Sequence, residues 1–305
     1  MSTTDTTDTT RSSGRNANEE LEPPTRAATF ARGARKVAHN KSALVGLGIL
    51  VPIIMLSLFG PFLPLASAYE TNAQEAFAPP SAEHPFGTDT YGRDLLSRVI
   101  NGGRTSLLIG VTPVLLGLLF AVPIGLVAGY YGGNVDESLM RFMDLLLSFP
   151  SLLLALLIIV ALGSSMWNAI IAITLVFIPR IARVVRGSVL SVKTEEFIEA
   201  AEARGESDIY IMKNEILPNI TTPILVEATI RVGFAILIGT AISFLGLGTQ
   251  PPNPDWGFMI EEGRTVMYQS PWYLLWPSVF LGLTVVGLNI LGDGIRDALD
   301  PKEGT

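Results

Sequence analysis

The sequence has no cysteine and only two histidines among its 305 residues. The lack of cysteine excludes disulfides, thiolate metal sites and cysteine nucleophiles. Both histidines, His39 and His84, lie outside the long apolar segments. An enzyme acting inside a membrane would therefore lack the histidine base or metal ligands that it commonly uses. We expect no catalytic residue, no metal site and no cofactor held by this chain.

Charged residues are also scarce. Only 16% of the residues are charged, whereas soluble domains average roughly 25%. Hydrophobic residues make up 49% of the chain. The charges are gathered in a few segments, and the apolar runs between them are long enough to cross a bilayer. This composition excludes an ordinary soluble domain and indicates an integral membrane protein.

Six apolar runs each approach the roughly 20 residues that a helix needs to cross the hydrocarbon core. Prolines and glycines within them are tolerated, because neighbouring helices satisfy the freed backbone groups. The predicted fold class is therefore an all-α integral membrane protein with six transmembrane helices. The predicted spans are residues 42–67, 106–130, 139–162, 166–185, 222–247 and 273–291.

The distribution of basic residues predicts the orientation. With the N-terminus inside, sixteen of the 21 Lys and Arg residues fall on the inner side and four on the outer side. This bias predicts N-in, C-in topology for a multi-pass protein of the cytoplasmic membrane. We expect a disordered cytoplasmic tail at 1–41, a first helix and outer loop with a short surface helix at 42–105, a core of five helices at 106–300, and a second tail at 301–305.

A polar segment, residues 187–220, separates the fourth and fifth spans on the inner side. Good helix formers at 195–203 predict a helix, which Gly205 ends in a left-handed conformation. Ser207 or Asp208 is expected to cap a second helix, and Pro218 to end it. Three basic residues against seven acidic ones do not suit nucleic acid. The segment is either a solvated connector or a surface that another protein approaches closely.

The order EAA at 199–201, glycine at 205 and ILP at 216–218 resembles the coupling loop of binding-protein-dependent ABC importer permeases. HPFGTD at 84–89 and ISFLGLG at 242–248 further resemble the dipeptide, oligopeptide and nickel subfamily, specifically the second of its two permease subunits. The resemblance implies the type I importer (MetI-like) permease fold. It also implies that an ATPase docks on Glu199, Ala200, Ala201, Gly205, Ile216, Leu217 and Pro218.

The same resemblance implies partners: a second homologous permease, two cytoplasmic ATPases and an extracytoplasmic solute-binding protein. The sequence has no Gly-x-x-x-x-Gly-Lys-Ser/Thr loop, so ATP and Mg²⁺ would bind to the ATPases. The implied cargo is a di- or oligopeptide, and nickel or another small solute stays open. An ion-coupled secondary transporter is the alternative class. It would need ionisable residues at mid-membrane depth.

Two pairs of charges lie in or near the spans. Glu227 and Arg231 are four residues apart in the fifth span, where each charge costs roughly 2.5–3.5 kcal/mol on insertion scales. They form either a structural strut or part of the translocation path. Arg141 and Asp144 are three residues apart, near the predicted inner surface. We expect a structural ion pair there, with a gating role as the alternative.

Overall fold

The structure, a computed structural model, describes residues 35–299, without the side chains of Pro61 and Leu299. Nine helices of eight or more residues are given whole in this range. They are α1 Lys41–Phe59, α2 Leu95–Tyr131, α3 Gly133–Leu147, α4 Ser151–Leu162, α5 Met166–Val192, α6 Glu196–Ala203, α7 Thr221–Phe244, α8 Trp256–Thr265 and α9 Pro271–Leu299. Most of the predicted N-terminal tail and all of the predicted C-terminal tail lie outside the described residues.

Five of these helices are long and apolar enough to cross a membrane: α1, α2, α5, α7 and α9. A sixth span is formed if α3 and α4, which meet at an angle of 86°, are taken as one broken span. The predicted all-α fold is therefore confirmed. The third span, predicted over 139–162, is broken between α3 and α4, because Pro150 takes an extended conformation immediately before α4. Proline lacks the N–H of a helix interior and also disfavours the helical conformation of Phe149.

Helix α2 is much longer than predicted. Its 37 residues correspond to roughly 55 Å at 1.5 Å per residue, almost twice the hydrocarbon thickness. It begins at Leu95, where Asp94 caps it by accepting a hydrogen bond from the Ser97 N–H at 2.7 Å. The predicted separate surface helix is wrong, since these residues are the first turns of α2. Gly103 does not break the helix; a Cβ there would lie 2.8 Å from the Trp256 ring.

Helices α2 and α5 form the centre of the bundle. A Cβ on Gly125 would lie 2.6 Å from the Val185 Cβ, and one on Gly129 would lie 2.7 Å from the Val189 Cβ. Small residues at such crossings allow the close backbone approach on which helix packing in membranes depends. Helix α1 packs on α9 in the same way, with Gly46 against the backbone of Leu291.

The outer end is closed by α8 and the loop before α2. Trp256 is fully buried, and its indole N–H donates to the Val99 carbonyl at 2.9 Å. Asp255 caps α8 by accepting from the Phe258 N–H at 3.1 Å, and burial raises the pKa of Asp255. The Phe86 ring of the loop stacks on the α9 residue Trp276, with ring centroids 4.0 Å apart.

A buried charge network fixes the same loop to α2. The Asp89 carboxylate is 2.6 Å from the Arg93 Nε and 3.2 Å from the Arg98 Nε. Arg98 is 1% exposed and also lies 3.8 Å from Glu262 of α8. Breaking one partner of a buried pair leaves an uncompensated charge. The outer loop is therefore held firmly against α2 and α8.

Candidate functional site

The polar segment between α5 and α7 is folded around a short helix and a glycine stop, as the sequence predicts. Helix α6 begins after Glu195, and Gly205 follows it with φ of +76°. The Gly205 N–H donates to the Glu202 carbonyl at 2.9 Å, and the Glu206 N–H donates to the Ala201 carbonyl at 3.3 Å. These two bonds form a Schellman motif, so the end of α6 is defined by the backbone.

The second half of the segment is helical for longer than predicted. Ser207 caps it, and Asp208–Tyr210, the π-helical turn Ile211–Ile216 and Leu217–Asn219 follow without a break. The prediction that Pro218 ends this helix is wrong. Pro218 directly follows the π-helical turn, in which the Leu217 N–H donates to the Met212 carbonyl five residues back, and the chain stays helical for one more residue, to Asn219.

The seven residues predicted to meet an ATPase fall into two groups. Ala201 and Ile216 are 0% exposed and pack, with Ile198, into the main hydrophobic core. Glu199 and Ala200 are exposed on the other side of α6. Gly205 and Pro218 are exposed as well, and Leu217 is partly buried. The first group attaches the segment to the bundle, and the exposed group is free to contact another protein.

The surface around Glu199 is acidic and partly apolar. No ion pair joins Glu199 to another of the described residues, and four acidic side chains of α6 or its cap are exposed. The same segment exposes Phe197, Ile209 and Tyr210, which are 40%, 71% and 40% accessible. Exposed apolar side chains among charged ones are typical of protein contact surfaces.

The segment is tied to the end of α2 by polar contacts. The Lys193 ammonium donates to the Tyr130 carbonyl at 2.5 Å, which satisfies a carbonyl in the last turn of α2. The Tyr130 hydroxyl donates to the Asp208 carboxylate at 3.2 Å. Tyr130 of α2 therefore contacts the chain just before α6, at Lys193, and just after α6, at Asp208.

The predicted ion pair between Arg141 and Asp144 does not form. Arg141 lies 2.6 Å from Glu137 on its own helix, and Asp144 pairs with Arg183 of α5. A Glu–Arg pair four residues apart is better oriented than an Arg–Asp pair three apart in the reverse order. These side chains are more than half exposed, so each pair contributes little stability.

A second, more buried pair joins α3 to α5. The Arg186 Nη2 donates to the Asp136 carboxylate at 2.5 Å. Sequence reasoning missed Asp136, Arg183 and Arg186, because spacing along one helix does not reveal which helix packs against it. Together with Asp144, these residues connect α3 to the part of α5 that leads into the polar segment.

Glu227 and Arg231 of α7 do pair. The Arg231 Nε lies 2.5 Å from the Glu227 carboxylate, and the two side chains are 14% and 12% exposed. The guanidinium also lies 6.0 Å from the ring centroid of Phe177 and 5.8 Å from that of Phe234, within reach of a cation–π interaction. Pairing and aromatic contact offset the burial of both charges.

Comparison with known proteins supplies the family. Residues 121–304 match the binding-protein-dependent transport system inner membrane component family, and residues 29–80 match the N-terminal transmembrane domain of oligopeptide transport permease C. The dipeptide transport system permease of Alkalihalophilus pseudofirmus is 46% identical over 268 residues, 88% of each chain. The Bacillus subtilis dipeptide permease is 39% identical over 88% of this chain and 84% of its own length.

Two further matches extend the comparison. The glutathione transport system permease of Pectobacterium atrosepticum is 44% identical over 223 residues, 73% of this chain and 74% of that protein. A chain of the MetNI methionine ABC transporter, solved in an inward-facing conformation, has a TM-score of 0.55 at 20% identity. It covers 67% of this chain and 97% of that chain, and it shows the fold alone.

These matches confirm the family and the MetI-like importer fold predicted from the motifs. They cover the bundle helices as well as the polar segment that carries Glu199. The chain therefore belongs to the family of binding-protein-dependent transport system inner membrane components, the multi-pass permease subunits of ABC importers, which are transport proteins and not enzymes.

Proposed function

We propose that this chain is one of two homologous permease subunits of an ATP-driven importer that carries di- or oligopeptides across the cytoplasmic membrane. The names of its relatives, two of them dipeptide permeases, support a peptide cargo. Nickel or another small solute is the alternative within the same family. An ion-coupled secondary transporter is not favoured, because this family works as part of ABC transport systems.

The proposed partners are a second permease, two cytoplasmic ATPases that hold ATP and Mg²⁺, and an extracytoplasmic solute-binding protein. We assign the ATPase contact to residues 187–220, which we name the coupling segment. The observation that carries this assignment is that one side of α6 is buried in the bundle and the other side is exposed. Glu199 and Ala200 are exposed, whereas Ile198 and Ala201 on the other side are 1% and 0% exposed and belong to the core.

This arrangement suits the transmission of movement. A partner that displaces α6 also displaces Ile198 and Ala201, which lie in the same hydrophobic cluster as Val185 and Val189 of α5. Protein interiors are close-packed and transmit strain. Closure of the ATPases would therefore move α5 and, through the contacts of Tyr130, the end of α2.

The experiment compares two alanines of α6. We expect Ala200→Leu to reduce ATP-dependent uptake of a labelled dipeptide at least tenfold, because the added side chain projects from the exposed surface and prevents close docking. Ala203→Leu tests the same surface a second time, since Ala203 is exposed and lies near the same face of α6 three residues further on. The control is Ala161→Leu, at an exposed position of α4 away from α6, which should leave uptake unchanged. None of these changes adds volume to the core, so all three variants should assemble in the membrane.

The result that contradicts the proposal is uptake by Ala200→Leu at the rate of the unchanged protein, or solute movement by this chain without any ATPase. Two substitutions test the charge at the same contact. Glu199→Gln removes the charge and Glu199→Arg reverses it, so Glu199→Arg should impair uptake more. If nickel, and not peptides, competes with the labelled solute, the alternative cargo replaces the proposed one.

A separate experiment decides the role of the Glu227–Arg231 pair, which we propose lines the translocation path. Replacing either residue by leucine leaves a buried charge unpaired, which is strongly destabilising. The double change Glu227→Leu/Arg231→Leu leaves none. If transport stays impaired in a well-assembled double variant, the path role is supported. If the double variant recovers the transport that each single change removes, the pair is only a structural strut.

A further inference from the structure

The outer loop brings together three possible metal ligands that are not recognisable as a motif in the sequence. Glu75, Glu83 and His84 each place one ligand atom within 4.8 Å of the others. Glu75 ends the 3-10 turn Ala73–Glu75, and the other two lie near the HPFGTD turn. The loop is at the opposite end of the bundle from the coupling segment, so the cluster is separate from the site described above.

The imidazole of His84 is held by a buried carboxylate. His84 Nδ1 lies 2.9 Å from Asp94 Oδ2, and Asp94 is 4% exposed. The other oxygen of Asp94 is fixed by the Ser97 N–H at the start of α2. A carboxylate on one ring nitrogen sets the tautomer and turns the lone pair of the other nitrogen outward, as occurs in histidines that bind metals.

The second ring nitrogen is buried and has no hydrogen-bond partner among the described residues. His84 Nε2 has almost no accessible surface, and the side chain as a whole is 13% exposed. A buried polar atom without a partner carries a desolvation penalty of roughly 1–3 kcal/mol. It faces Glu75, whose Oε2 lies 3.5 Å away, and a carboxylate oxygen of Glu83 belongs to the same cluster.

This distance suits two ligands of one metal ion. Ligands at about 2.0–2.1 Å from a tetrahedral zinc ion lie about 3.4 Å apart. The 3.5 Å separation of the His84 and Glu75 atoms is close to this value. Glu83 is exposed, so its carboxylate can move the short remaining distance, and water can take a fourth position.

We propose that the outer loop binds one divalent transition-metal ion of the zinc class through His84 Nε2 and the carboxylates of Glu75 and Glu83, with Asp94 as the residue that positions the imidazole. The ion would join the turn at Ala73–Glu75 to Glu83 and to His84, the first residue of the HPFGTD motif. It would thereby stabilise the outer face of the permease, whichever solute is carried. The proposal does not rest on the function proposed above.

The test uses the full chain in nanodiscs, purified without a polyhistidine tag and stripped with a chelator. The hydrogen bond with Asp94 raises the pKa of His84, so a proton competes for the ring and the titration is made in mildly alkaline buffer. We expect one Zn²⁺ per chain against a competing dye, and a tetrahedral absorption spectrum with Co²⁺. His84→Gln and Glu83→Gln should each weaken binding at least tenfold.

Two matched controls separate this site from adventitious binding. Glu70→Gln changes an exposed carboxylate of the same loop, and His39→Gln removes the other histidine; both should bind Zn²⁺ like the unchanged chain. Because Glu83 is exposed, Glu83→Gln should unfold at the same temperature as the metal-free chain but lose the rise that Zn²⁺ produces. The proposal is overturned if binding does not saturate, or if His84→Gln and Glu83→Gln bind as tightly as the controls.

Discussion

Gly205 sets the angle between the two helical halves of the coupling segment, and its replacement has a calculable cost. Its φ is +76°, and a Cβ at this position meets no atom within 4 Å. Alanine therefore introduces backbone strain of about 1–2 kcal/mol and no steric clash. Asparagine tolerates the left-handed conformation better. Proline is excluded by its fixed φ and lacks the N–H that donates to Glu202.

The expected measurement is hydrogen exchange in the coupling segment. A local cost of 1–2 kcal/mol corresponds to a factor of about 5–30 in an opening equilibrium. In Gly205→Ala, the amide of Glu206, which closes the Schellman motif, should therefore exchange about 5–30 times faster than in the unchanged chain. Gly205→Asn should change it by a smaller factor. Gly205→Pro should lose protection altogether and also lose ATP-dependent uptake.

Gly163 provides the control, because it too has positive φ, of +93°, and open space around it. It lies between α4 and α5, away from the coupling segment. Gly163→Ala should carry a backbone cost at least as large, about 1–3 kcal/mol, because its ψ of 157° lies in a region that is essentially confined to glycine, and it should leave ATP hydrolysis coupled to uptake. Equal exchange in the glycine and alanine proteins at position 205, or normal uptake by Gly205→Pro, would refute the reasoning.

Three further predictions concern packing and topology. Gly125→Ala should destabilise the protein by about 1–3 kcal/mol through overpacking between α2 and α5, whereas Gly187→Ala, with open space around it, should not; equal thermal unfolding of the two would contradict the close crossing. Trp256→Phe should cost about 0.5–1.5 kcal/mol, since it removes the buried hydrogen bond from the indole N–H to the Val99 carbonyl; unchanged thermal unfolding would show that the bond is unimportant. The chain has no cysteine, so a single introduced cysteine reports the side of the membrane on which it lies. An impermeant maleimide should label Glu199→Cys only from the inner side, and should label Tyr268→Cys, at a position that is 94% exposed, only from the outer side. Labelling of both from one side would contradict N-in, C-in topology.

Hydropathy predicted the number and approximate places of the spans because each apolar run must be covered by lipid or by other helices. It did not predict their ends. Helix α2 extends eleven residues beyond its predicted start, because Arg98 is neutralised by Asp89 and buried beneath the outer loop. Charge in a sequence marks the edge of a span only where water, and not protein, covers the charged residue.

Glycine and proline caused the remaining errors for a related reason. Gly103 lies just before the predicted second span, and Gly205 is predicted to end a helix, yet of these two glycines only Gly205 has positive φ. Gly103 remains helical and accommodates Trp256, a residue more than 150 positions later in the chain. Pro150 and Pro218 similarly differ in outcome, since one breaks a span and the other follows a π-helical turn within a continuous helical stretch. Local sequence does not distinguish these roles, because the neighbour that decides between them is distant.

The ion pairs show how the coupling segment is connected to the rest of the bundle. The residues predicted four apart, Glu227 and Arg231, pair on one helix, whereas Asp144 and Asp136 pair with arginines of α5. Three arginines of α5, at 180, 183 and 186, recur every three residues and therefore lie near one face. Such a face needs acidic partners from an adjacent helix, and α3 supplies two. Movement of α6 that displaces the end of α5 must therefore either carry α3 with it or break the more buried pair at Asp136.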